Sequence, residues 1–199
     1  MKTKSFIHKS ALLGALAVAA VVTQTASATM LITVSEVGAN VVVAESGSIN
    51  LGGLIFVATG TLTGTGLAPY DGGLVIGSGL VDSYTGTFTG PSSWGSGLYT
   101  PADSSAGSSS DFLVSIASLS VPQGYTSGTQ FSGSDTFNNA SIFLLGLDPG
   151  SYVYTFGSGP NADSIVINVA APEPATLTLF AVGIAGLLLA GRKRTKGRA

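Results

Sequence analysis

The 199-residue chain contains no cysteine and a single histidine, His8. A disulfide-stapled scaffold is thereby excluded, and so are thiolate metal sites and cysteine nucleophiles. Charged residues make up only 9% of the chain, against 45% hydrophobic residues, which is the opposite of the composition that keeps a chain disordered. The most informative absence is local. No lysine or arginine occurs between Lys9 and Arg192, whereas Glu36, Glu45, Asp71, Asp82, Asp103, Asp111, Asp135, Asp148 and Asp163 all fall inside that interval. The formal net charge of −2 therefore averages two basic ends with a purely acidic middle. Such a middle forms no internal salt bridge and offers no cationic patch to phosphates, so nucleic acid is excluded as its partner.

The basic ends have the layout of targeting elements. Lys2, Lys4 and Lys9 precede an apolar stretch over residues 11–22, and Ala26-Ser27-Ala28 supplies the small-x-small pattern that signal peptidase accepts. Residues 1–28 are read as a signal peptide cleaved after Ala28, in preference to an anchor, because the apolar stretch is short. At the other end, Pro172-Glu173-Pro174 is followed by an uncharged run over residues 175–191 and by Arg192-Lys193-Arg194 in a basic tail over 192–199. Seventeen residues at helical rise reach about 25 Å, near the lower limit for spanning a bilayer. The tail is expected to stay cytoplasmic while the Lys/Arg-free middle crosses.

These three parts in this order resemble the PEP-CTERM sorting signal of Gram-negative bacteria, a tail also catalogued under an ice-binding-protein C-terminal label that describes the tag alone. The resemblance covers residues 172–199. It implies recognition of Pro172, Glu173 and Pro174 by exosortase, an integral-membrane protease. It also implies a transient stay in the inner membrane and delivery to the cell surface or the extracellular polysaccharide. The tripeptide suits that role physically. Its prolines favour an extended segment, and Glu173 is an anionic group near the positive end of the helix that follows.

Residues 29–171 read as one β-rich ectodomain of the sandwich type. Candidate strands are 31–37, 41–45, 54–59, 74–76, 84–89, 112–119, 130–137, 142–145, 152–156 and 165–169, separated by Gly, Ser, Asn, Asp and Pro. No segment has a capped helical period. The small-residue run 102–110 is expected to be a mobile loop. Tyr152, Tyr154 and Phe156 alternate onto one strand face and are expected to pair with Ile167 and Ile165.

Chemistry is scarce in this segment. A triad needs a base beside its nucleophile, and His8 leaves with the signal peptide. Carboxylate-only glycoside hydrolysis is formally open to Asp71, Asp82, Asp103 and Asp111, but these read better as solubilising turn and loop acids. Asn161 and Asp163 are the nearest pair for calcium, without an Asp-x-Asp-x-Asp loop. Thr61, Thr63 and Thr65, like Thr85, Thr87 and Thr89, are spaced to line a strand face. Trp94, among small residues, is read as folded onto the core; a sugar-stacking platform is the alternative. The expectation is thus an exported, non-catalytic structural or adhesive surface protein. No cofactor or metal is called for, and its processing partners are signal peptidase and exosortase. A carbohydrate-binding module is the alternative, followed by a carboxylate-only glycosidase.

Overall fold

The computed structural model describes residues 29–108, 110–113 and 118–171. The leader with Ala26 and Ala28, the tripeptide Pro172, Glu173 and Pro174, the run 175–191 and the cluster Arg192, Lys193 and Arg194 lie outside the described residues. Among the described residues, no helix is long and apolar enough to cross a membrane.

Alternation of side chains builds the first sheet. Strand β1 (Thr29–Val37) buries Met30, Ile32 and Val34. The chain reverses through Gly38, at φ +65°, and β2 (Asn40–Gly47) buries Val41, Val43 and Glu45. Successive strand residues face opposite sides, so an acid two positions after Val43 is carried inward with the valines. The same rule turns Asp135 inward on β12 (Phe131–Phe137) and Asp163 inward on β14 (Asp163–Val169). With β7 (Phe88–Thr89), β9 (Ser104–Gly107) and β13 (Gly150–Phe156), these strands form a sheet in the order β7-β13-β14-β1-β2-β12-β9. The first and last strands lie side by side and parallel at its centre, Thr29 opposite Ser164 and Val34 opposite Val169.

The second sheet takes β3 (Ile55–Leu62), β4 (Gly66–Ala68), β5 (Gly73–Ile76), β6 (Gly79–Thr85), β8 (Thr100–Pro101), β10 (Ser110–Leu113) and β11 (Ser118–Pro122), in the order β3-β6-β11-β10-β5-β4-β8. Met30, Ile32, Val43 and Ile165 of the first sheet share one apolar cluster with Leu74, Ile76, Leu119 and Val121 of the second. The ectodomain is therefore all-β and two-layered, as expected. Tyr152 and Tyr154 stand opposite Ile167 and Ile165, the register expected from their spacing.

Four local expectations are corrected. The run 112–119 is not one strand: β10 ends at Leu113 and β11 begins at Ser118, and the two pair antiparallel with Asp111 opposite Ser120. The run 84–89 breaks at residues 86 and 87, where the chain passes from the second sheet to the first. Residues 142–145 are turns: Leu145 N–H bonds the Ser141 carbonyl and Leu147 N–H that of Ile142, which buries Ile142 and Leu145 three apart. Finally, the run 102–110 contains the edge strand β9, held by main-chain pairing to β12 from Ser104 to Gly107. Backbone groups pair regardless of side chain, so an Ala/Ser/Gly composition conceals such a strand.

Candidate functional site

The sorting segment leaves the fold directly from the centre of a sheet. β14 pairs with β1 on one side and β13 on the other, and just beyond it Ala170 N–H donates to the Val34 carbonyl at 2.8 Å. One residue, Ala171, separates that bond from Pro172. The ectodomain is thus tied to its tail without a slack linker.

Around this exit lie the loop 138–149, the β1–β2 turn and the loop 94–100. They are joined by backbone: Ser96 and Gly97 N–H both donate to the Gly146 carbonyl, Asp148 N–H to Trp94, and Tyr70 N–H to Gly97. The approach is so close that a Cβ on Gly97 would overlap the Leu145 carbonyl oxygen. Two acids at this end are tied to main chain, Glu36 accepting from Ile142 N–H at 2.8 Å and Asp103 from Asn138 N–H at 2.6 Å. Trp94 lies beneath the loops, only 1% exposed, in the common apolar cluster. The core reading of this residue is the correct one, and its indole is withdrawn from any role as a sugar platform.

The interior carboxylates are the other chemical feature. Glu45 Oε2 accepts from the Ser110 hydroxyl at 2.7 Å, while Oε1 has no hydrogen-bond partner. Burial pushes the Glu45 carboxyl up to about 7; the Ser110 bond opposes that shift and the Asp135 charge adds to it. Asp135, fully buried, is pushed up to about 6 by desolvation against a long bond of 3.4 Å from Gly77 N–H. Asp111 is also pushed up to about 6 by burial. Glu45, Ser110 and Asp111 line a cavity of about 10 Å³ whose other walls include Met30, Ile32 and Leu119. That volume accommodates nothing larger than a single water, so it is no substrate pocket. A separate groove of about 310 Å³, lined by Thr87, Thr89, Thr155 and glycine backbone, opens at the Gly53–Gly157 side.

The acids proposed from sequence are dispersed. Asp82 lies half-buried on β6, its pKa lowered by the Thr59 hydroxyl and the Gly124 amide. Asp71 sits in a 3-10 turn and Asp103 at the exit end. Sequence reasoning missed Glu45 and Asp135, the two that interact, although each is in phase with apolar neighbours: Val41 and Val43 for one, Phe137 for the other. Asp163 spends both oxygens on backbone, accepting from Asn50 N–H at 2.6 Å and Ser164 N–H at 2.7 Å. Burial raises its pKa and those two bonds lower it, the net shift being upward. Among the described residues no group of three acids or histidines is placed to hold a metal ion. The threonine trios do not form ladders: β3 ends at Leu62, before Thr63 and Thr65, and Thr87 falls between β6 and β7.

No curated protein matches the chain significantly. A family model described as the PEP-CTERM protein-sorting motif matches residues 170–194. That match begins at the residue whose amide closes the fold onto Val34. Residues 170–194 thus carry a PEP-CTERM sorting motif, which implies an exported, membrane-processed, cell-surface protein with exosortase as its processing partner.

Proposed function

We propose that the ectodomain is a non-catalytic structural or adhesive module, exported with its signal peptide, held briefly in the inner membrane by residues 175–191, and released to the cell surface or extracellular polysaccharide. The observation that carries this reading is the exit geometry. A domain whose final strand is paired on both sides, with its last amide bonded to Val34, is handed to the processing machinery fully folded. The interior supports the non-catalytic part. Asp163 is committed to backbone amides, and the cavity beside Glu45 has room for roughly one water.

A carbohydrate-binding role is the second reading, favoured by the hydroxyl-lined groove at Thr87, Thr89 and Thr155 and no longer by Trp94. A glycan array separates the two. The structural role predicts no saturable binding, whereas saturable binding to one glycan, abolished by Thr87→Val, would replace it with the carbohydrate-binding role.

A further inference from the structure

Five large apolar side chains of the loops stand in solvent at the exit end, beside Val37 at the close of β1. Phe143 is 85% exposed, Leu98 74%, Leu144 71%, Tyr70 62% and Tyr99 55%. They belong to a single surface, because the Gly97 and Leu145–Gly146 backbones touch, carrying Leu98-Tyr99 and Phe143-Leu144 out of one contact, and Tyr70 is bonded to Gly97. The loops beneath are rigidly built. Tyr99 is oriented by its hydroxyl, which donates to the Thr65 carbonyl at 3.0 Å, and the 142–146 turn is closed by the Ser141 and Ile142 carbonyls. β3 also exposes Ile55, Phe56 and Val57, but the exit tip is rigidly built and lies where the chain leaves the fold, and it calls for an occupant.

The place where the chain leaves the structure names that occupant. Residues 172–174 extend at most about 11 Å, and the uncharged run starts at residue 175. The polar zone of a bilayer leaflet is about 5–7 Å deep. The exit end is therefore held at headgroup level for as long as the tail is in the membrane, which is where aromatic and leucine side chains partition. We propose that Leu98, Tyr99, Phe143 and Leu144, with Tyr70 beside them, form a foot that docks the ectodomain onto the phospholipid surface of the membrane holding its tail. This rests on the sorting reading. It adds an orientation: the sandwich stands on its exit end, which steadies the tripeptide at the height where it is cut.

The foot has no cationic residue, and Glu36, Asp71, Asp103 and Asp148 surround it, so attraction to anionic lipid plays no part. Docking depends on the tail, which supplies an effective concentration in the millimolar range. Removal of the tail then releases the domain, as surface delivery requires.

Because the chain lacks cysteine, one introduced thiol reports one position. The tail-bearing chain is placed in phosphatidylcholine vesicles with an environment-sensitive fluorophore on Leu144→Cys, or on Val57→Cys at the far end. The foot predicts a blue-shifted emission at 144, quenched by brominated acyl chains, and aqueous emission at 57. Leu98→Ser together with Phe143→Ser should abolish the shift, while Trp94 emission verifies that the fold is intact. Phosphatidylglycerol should weaken the shift at low salt, and salt should restore it. Aqueous emission at 144 in chains that float with the vesicles overturns the foot and leaves the sorting reading standing. Chains that fail to float overturn both. A shift at 144 that ignores brominated lipid and grows with protein density overturns the foot in favour of a second copy.

Discussion

Ionising Glu45 should weaken the fold as pH rises, the reverse of the usual carboxylate effect. In the unfolded chain this carboxyl ionises at about 4.5; between the sheets it is held up to about 7. Within that window the folded state binds more protons than the unfolded state, so stability is full below pH 4.5 and is lost as pH climbs through 7. At 1.36 kcal/mol per pKa unit, the shift corresponds to about 3 kcal/mol. Asp111 and Asp135, both raised to about 6, act in the same direction. Asp82, with a lowered pKa, acts in the opposite direction at acid pH. The test is urea unfolding between pH 4.5 and 8, followed by the emission of Trp94, which moves from a buried site into water. The wild-type chain should lose several kcal/mol across this range. Glu45→Gln keeps the shape and the Ser110 partner without ionising, so its profile should be flatter by about 3 kcal/mol. Parallel profiles for the two chains, or a wild-type chain more stable at pH 8 than at pH 5, would refute the reasoning.

Gly97→Ala should cost about 1–3 kcal/mol, read from the urea midpoint, because the new methyl meets the Leu145 carbonyl; Gly60→Ala, with nothing within 4 Å, should be close to neutral. Solubility of the processed ectodomain should start to fall near pH 7, as Glu45, Asp135 and Asp111 take up protons, and should not recover down to pH 2. With no lysine, arginine or histidine in residues 29–171, no opposite charge replaces the one lost. Nephelometry showing redissolution between pH 3 and pH 2 would contradict this. Trypsin should leave that ectodomain as one piece even in urea, whereas a chymotrypsin-type protease should cut it there; any internal tryptic fragment seen by mass spectrometry would be inconsistent with the charge map.

The strands with a strong two-residue alternation were legible in the sequence: β1, β2, β12, β13 and β14 are the first sheet's long strands, and each turns apolar residues inward, interrupted by Glu45, Asp135 and Asp163. The second sheet was harder to read. β4 and β8 are three and two residues long and pair with each other across more than thirty residues of chain, and in the first sheet the edge strand β9 has no apolar side chain larger than Ala106. Residues 142–145 look like a strand in composition, yet they bury positions three apart because the loop caps the sandwich end. Asp111, read as a turn or loop acid, stands on β10 beside the interior cavity, and Glu45 and Asp135 were passed over because they were weighed by composition alone. The phase of Val41, Val43 and Glu45 already placed one of them inside, and a tally of charges ignores phase. The exit surface was not legible, because Leu98, Tyr99, Phe143 and Leu144 come from separate loops brought together only by backbone contact at Gly97.

The central claim is that residues 172–174 are read by a membrane protease and the ectodomain released without its tail. The intact mass of the protein extracted from the surface of cells with and without exosortase tests it most directly. Cells with the enzyme should yield a species that starts at Thr29, ends near the tripeptide, and is unchanged by trypsin. Cells without it should retain a membrane-bound chain that loses only the residues beyond Arg192. Surface protein still ending at Ala199 in cells that have the enzyme would contradict the account.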